Sequence, residues 1–299
     1  MPSIQASVVN QISKIALRNY KGEAPGFVKR FRLVTGISNL VGPVPSGVKR
    51  MKGQLGGVKG EWLIPQNAQG SLLYIHGGAF VAGGPPMYRP FCGAIAKALC
   101  LRVFLVDYRM APEHPFPAPY DDCMAAFDAL VKDTPTGQPI LVAGDSAGGN
   151  LGMCVAQYAA QKKLPLHGAL LISPSTDMRR LSPTIEGNAK SDSMLSPLIL
   201  RLAAETYLNG HDPADPKASP LLGTFKKLPP VLITASQDEC LLGDGAQLHE
   251  KIQEAGGASE LLTRPGMPHI WPVMTTMLPE AKEDLVKILN FFRAAMATA

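Results

Sequence analysis

From about residue 63 onward, short apolar runs alternate with longer amphipathic stretches. The runs fall at 71–75, 103–106, 140–143, 169–172, 231–235 and 260–263, bounded by Gly, Pro, Ser or Asp. Strands that are apolar throughout, without polar alternation, are buried on both faces. Residues 88–99, 118–132, 149–161, 243–255 and 279–296 carry the helical period between them. The pattern predicts an α/β fold with a mostly parallel, doubly wound sheet flanked by helices. In such a sheet, functional groups collect beyond the carboxyl ends of the strands.

Two segments break the alternation. Residues 1–50 read as an amphipathic helix, with Ile4, Val8, Ile12, Ile15 and Ala16 at helical spacing, followed by a Gly/Pro-rich stretch. Residues 178–216 carry a helical run, 197–208, between loops rich in Ser, Asp and Pro; such an insertion often forms a lid. Residues 51–177 and 217–299 then make up the core of the domain.

Composition narrows the classes. Of 299 residues, 46% are hydrophobic and 18% charged, which excludes a disordered chain. No apolar run reaches the ~18–20 residues that span a bilayer, so stable membrane insertion is not expected. The formal charge of +5 includes a basic cluster at Lys29, Arg30, Arg32, Lys49, Arg50 and Lys52. With no nucleic-acid-binding module beside it, the cluster reads as a solvated positive face and nucleic acid is not an expected partner. Five cysteines without C-x-x-C spacing, and an N-terminus without an export-type apolar core, fit reduced thiols in a cytoplasmic protein.

Candidate chemistry begins at Gly144-Asp145-Ser146-Ala147-Gly148, directly after the run 140–143 and before a helix. G-x-S-x-G in a strand–turn–helix setting is the pattern of a nucleophile elbow: the serine occupies a tight turn that leaves no room for side chains two residues either side. A second motif, His76-Gly77-Gly78-Ala79-Phe80, ends the run 71–75. Acyl transfer creates an oxyanion that needs backbone N–H donors, and the expected donors are Gly77, Gly78 and Ala147. His76 is expected to orient its loop. Among the six histidines, His269 stands in a loop past the last strand, at the edge where Ser146 must lie, and is the expected base. The acid is sought after the strand 231–235. Asp238 comes first and leads, with Glu239 and Asp244 as competitors; Asp244 opens a helix and could simply cap it.

Together these residues resemble the hormone-sensitive-lipase-like family of α/β-hydrolases, bacterial carboxylesterases with HGG and GDSAGG motifs. Three blocks carry the likeness: YIHGGAF at 74–80, GDSAGGNL at 144–151 and DYRMAPEHPFPA at 107–118. The resemblance implies an α/β-hydrolase fold, a triad of Ser146, Asp238 and His269, and an oxyanion hole of Gly77, Gly78 and Ala147. Segments 1–50 and 178–216 would combine as a helical cap over an acyl pocket. This sequence departs from relatives that follow the acid with Pro-Leu, since Glu239-Cys240-Leu241 follows Asp238; around the base it has Pro268 and Ile270-Trp271.

The expected activity is hydrolysis of short- to medium-chain carboxylic esters through an acyl-enzyme, with a small-molecule ester as partner and no cofactor or metal. Candidate pocket groups are Phe27, Phe31, Phe80, Met194, Leu198, Leu202 and Trp271. The resemblance allows a homodimer through an edge strand. Two alternatives stay open: amide or peptide cleavage on the same triad, and a small-molecule receptor reusing the pocket without turnover.

Overall fold

A computed structural model of the protein describes residues 1–38 and 42–297. Strands β1 (Val48–Leu55), β2 (Val58–Pro65), β3 (Ser71–Ile75), β4 (Arg102–Val106), β5 (Ile140–Asp145), β6 (Gly168–Ile172), β7 (Val231–Ser236) and β8 (Ser259–Arg264) form one eight-stranded sheet. Their spatial order is β1-β2-β4-β3-β5-β6-β7-β8, with the pairs β1–β2 and β2–β4 antiparallel and every other pair parallel. Helices α3 (Arg89–Leu99), α4 (Ala118–Asp133), α5 (Ala147–Lys162), α8 (Leu242–Glu254) and α9 (Pro279–Met296) cover its two faces.

Strand β3 shows why the central strands are apolar throughout. Leu73 and Ile75 face a core layer shared with Phe127 of α4 and Leu151 of α5. Leu72 and Tyr74, pointing the other way, pack with Phe91 of α3 and Phe292 of α9. Every residue of β3, β5, β6 and β7 is buried, so the period-2 alternation has no polar side to reveal it.

The hairpin β1–β2 is not foreshadowed by the hydrophobic pattern, because β1 is an edge strand with only Leu55 buried. Its signal is the Gly56-Gly57 turn, where φ is +60° and +80°, the geometry of a two-residue hairpin loop. Lys49, Arg50 and Lys52 belong to this edge, and such charges discourage pairing with another sheet. Half of the basic cluster thus guards an edge.

Helices α2 (Ala24–Ser38), α6 (Thr184–Gly187) and α7 (Pro197–Leu208) share a separate apolar cluster, while α1 (Ile4–Ser13) packs through Ala6 and Val9 against Trp271 and Ala281. Phe27, Val28 and Phe31 of α2 pack against Ile199, Leu200 and Leu202 of α7, with Val81 and Leu241 from the core loops beneath. The helix expected near the N-terminus is present, but its apolar stripe faces outward. Ile4, Val8, Ile12 and Ile15 are exposed, whereas Ala6, Val9 and Leu17 are buried. Residues 39–41, within the 1–50 segment, lie outside the described residues. Among the described residues, no helix is long and apolar enough to cross a membrane.

Candidate active site

Ser146 lies between the end of β5 and the first residue of α5, with φ +53° and ψ −116°, a strained backbone for a residue with a side chain. Its N–H donates to Ile172 O at 2.8 Å. The turn is too tight for any flanking side chain: a Cβ on Gly144 would lie 2.2 Å from Gly148 O, and one on Gly148 2.0 Å from Ile75 O. Backbone of β3 cannot yield without disturbing the sheet centre. Gly148→Ala is therefore expected to destabilise the fold by about 3 kcal/mol, read as a lower urea midpoint; an unchanged midpoint would mean the turn has slack.

His269 is buried, and its Nε2 lies 2.9 Å from Ser146 Oγ. The loop that carries it is fixed from several directions. Met267 O accepts from Ser236 Oγ at 2.7 Å, Gly266 O from Asn10 Nδ2 at 3.0 Å, and Ile270 N–H donates to Ser173 Oγ at 3.3 Å. The other histidines serve elsewhere. His167 pairs with the Ile140 amide at the amino end of β5, His249 with Ser259, and His211 stands edge-on to Phe116. His76 is stacked on Tyr108 with ring centroids 4.3 Å apart, and its Nδ1 lies 2.7 Å from Gly77 O, so it braces its own loop.

The acid expectation needs correction. Glu239, not Asp238, meets the base: Glu239 Oε2 lies 2.5 Å from His269 Nδ1. The cause is the turn after β7. Glu239 N–H donates back to Ser236 O, and the Ser236 N–H donates to Glu239 Oε1 at 2.9 Å, so the fourth residue of the turn folds back over the strand end. Asp238, half-exposed, instead accepts from the Gly266 N–H and ties the acid turn to the His269 loop. Asp244 accepts from the amides of Thr176 and Asp177 and stays clear of the imidazole.

Burial opposes charging the His269 ring, but the Glu239 carboxylate beside it, reinforced by Asp192 and Asp145, outweighs burial and raises its pKa above the ordinary 6.5. Asp192, whose own pKa burial pushes up, accepts from the amides of Met194, Leu195 and Cys240. It thereby pins the segment before α7 to the acid turn.

The expected oxyanion donors also change. The Gly77 N–H is committed to Asp145 Oδ1 at 3.0 Å and Tyr88 Oη at 3.1 Å. Gly78, Ala79 and Ala147 instead line the cavity with Ser146 and His269, and their N–H groups donate to no protein acceptor among the described residues. Ala79 was missed because its N–H is delivered by φ +56°, a conformation usually left to glycine. Asp145 was missed too. It accepts from Tyr74 Oη at 2.9 Å, Tyr88 Oη at 3.0 Å and Gly77 N–H, while burial pushes its pKa to about 6. One carboxylate thus fastens the glycine loop to the strand that ends in the serine.

A cavity of about 330 Å³ opens above Ser146. Phe31, Phe80 and Met194 line it, together with Leu17, Ile199 and Leu200. Leu198 and Trp271 do not. Leu198 packs within the helical layer, on a different face of α7 from Ile199 and Ala203. Trp271 is buried against Ala6, Val9 and Ala281, and its Nε1 donates to Asp284 at 2.9 Å. It anchors the His269 loop.

A serine raised on a strand–helix elbow, facing a carboxylate-held histidine at the carboxyl edge of a mostly parallel sheet, defines an α/β-hydrolase. Residues 72–273 match the family model described as alpha/beta hydrolase fold. The chain is 32% identical over 241 residues to an esterase of Acinetobacter venetianus, covering 80% of each, and 34% identical over 238 residues to an acetyl-hydrolase of Streptomyces hygroscopicus, covering 79% of each. A crystal structure of an esterase from the bacterial hormone-sensitive lipase family superposes with a TM-score of 0.89 at 29% identity over 99% of both chains. The protein belongs to the hormone-sensitive-lipase-like family of α/β-hydrolases.

Proposed function

We propose that this protein, a carboxylic-ester hydrolase, works through an acyl-enzyme on Ser146, with His269 as base and Glu239 as the orienting acid. The observation that carries the reading is the unbroken relay Ser146 Oγ–His269 Nε2 and His269 Nδ1–Glu239 Oε2. Neutral His269 takes the hydroxyl proton as Ser146 attacks the ester carbonyl; Glu239 holds the tautomer and favours the imidazolium that forms. The developing oxyanion is stabilised by the N–H groups of Gly78, Ala79 and Ala147, the last aided by the positive end of α5. The imidazolium then protonates the departing alkoxide, and water, activated by the same imidazole, releases the acid.

Residues 1–38 and 178–216 act as a cap whose cavity-lining groups, Leu17, Phe31, Met194, Ile199 and Leu200, bind the acyl group. A cavity of about 330 Å³ is at the small end of ligand sites, ~300–1,000 Å³, which favours short to medium chains. Five free cysteines support a reducing, cytoplasmic setting. An alkyl fluorophosphonate is expected to add once, on the peptide bearing Ser146, and p-nitrophenyl esters from acetate to laurate are expected to peak in kcat/KM before the longest member. Labelling elsewhere, or best turnover of the longest ester, would count against the respective half of this reading.

A further inference from the structure

We propose that the outer face of α1 and α2 docks on an anionic lipid surface, so that ester substrate passes from the lipid into the cavity. Aliphatic groups crowd that face. Ile4, Val8, Ile12 and Ile15 are 82%, 51%, 58% and 70% exposed, and Leu33 and Ile37 are 64% and 58% exposed. Ile4, Val8 and Ile12 follow each other at four-residue spacing, one above the next on a helix. Lys29, Leu33 and Ile37 repeat that spacing on α2, so an exposed lysine shares the stripe.

The apolar face is continuous with the mouth of the site. Ile12, Ile37 and Met277 line the cavity above Ser146 and are also at least half exposed. An ester crossing this rim meets hydrocarbon on both sides of it when the face rests on lipid, and water on one side when it does not. Exposed apolar groups around a substrate opening are costly in water and are accounted for by an apolar phase outside it.

Charge selects the kind of surface. Residues 1–50 hold eight Lys or Arg and one Glu, so the remainder of a chain of formal charge +5 is slightly acidic. Within residues 1–38, the ion pair formed among the described residues is Arg32–Glu113. Arg18 and Arg30 are held by the backbone carbonyls of Ala189 and Ala16, which leave their charge unneutralised. Lys14, Lys21 and Lys29 meet no carboxylate among the described residues. Basic groups beside an aliphatic stripe match anionic headgroups above an acyl layer. A second copy of the chain fits less well, because a two-fold contact through this face would set like charges against each other. The mode is peripheral, since the helices lie too short and too polar to span a bilayer.

Ester hydrolysis at Ser146 gives the docking its purpose, but docking is read without turnover. Sedimentation with phosphatidylcholine vesicles, with and without phosphatidylglycerol, tests it on the whole protein. Binding is expected to be about ten-fold or more tighter to the anionic vesicles and to weaken as salt is raised. The triple substitution Ile4→Asp, Ile15→Asp, Leu33→Asp and the pair Lys21→Glu, Lys29→Glu touch neither triad nor cavity. Each is expected to lose that binding while hydrolysis of soluble p-nitrophenyl acetate is unchanged. Equal binding to both vesicle types, undiminished binding by both variants, or a wild-type dimer that the aspartates convert to monomer would overturn the proposal. Anionic-vesicle binding by a protein that cleaves no ester would sink the esterase reading and leave the docking standing.

Discussion

Ser146→Ala is expected to lower kcat on p-nitrophenyl butyrate by about 10⁶, close to the loss of the whole triad, because nucleophile, base and acid act as one unit. The backbone at 146 has φ +53° in a turn fixed by Ile172 O and by the absent side chains of Gly144 and Gly148, so alanine inherits the same elbow. Only the hydroxyl facing His269 is removed. The variant should keep the thermal midpoint of the wild type and fail to react with a fluorophosphonate. Activity within about a hundredfold of wild type, in protein free of wild-type contamination, would place the nucleophile elsewhere.

Glu239→Gln is expected to cost about 10⁴ in kcat/KM, as loss of the orienting carboxylate does in serine hydrolases generally. An amide at 239 can present its NH₂ to His269 Nδ1 and stabilise the wrong tautomer, with the proton on Nε2 pointing at Ser146. Asp238→Asn makes the contrasting arm. Its amide oxygen still accepts from Gly266 N–H, so activity should stay within about tenfold of wild type. A reversed ranking would restore Asp238 as the acid.

The same pair separates by pH. The proposed base must be neutral to act, and Glu239 raises the His269 pKa above 6.5, so the ring stays protonated to a higher pH than a free imidazole. Wild-type kcat/KM should therefore fall, as pH is lowered, through a midpoint above 6.5. Without the carboxylate at 239 the charged ring loses its partner while burial still opposes it. The acid limb of Glu239→Gln should move to lower pH even as its plateau drops, whereas Asp238→Asn keeps the wild-type limb. A limb that does not move in Glu239→Gln would show that Glu239 leaves the imidazole's charge untouched.

The legible parts of the sequence were those where one physical constraint leaves one solution. Strands β3, β5, β6 and β7 are buried on both faces and so appear as unbroken apolar runs. The Gly-x-Ser-x-Gly spacing is legible because backbone atoms stand within 2.2 Å of where a Cβ would be at 144 or 148. What stayed hidden depends on turn geometry. Asp238 and Glu239 are adjacent carboxylates, and nothing in their composition tells which one a four-residue turn folds back toward the imidazole. Gly77 and Gly78 look equivalent until Asp145 is seen to occupy the first amide. On α1, helical spacing locates a stripe but does not say which way it faces; small Ala6 and Ser13 permit the close approach to the core, and the larger isoleucines are left outside.

The rings of Phe80 and Tyr207 lie nearly parallel, 3.7 Å apart between centroids, with Phe116 edge-on to the second. Phe80 follows Ala79 in the loop whose Gly78 and Ala79 line the cavity above Ser146, and Tyr207 sits one residue from the end of α7. Tyr207 O also accepts from Phe116 N–H at 2.8 Å, and Phe80 O from Ala111 N–H at 2.9 Å. The helix and the glycine loop that line the cavity are thus mechanically one piece. Grafting a foreign α7 to change chain-length preference would therefore alter turnover along with selectivity, unless the graft brings an aromatic ring to position 207. Specificity and rate in this scaffold are not independently exchangeable modules.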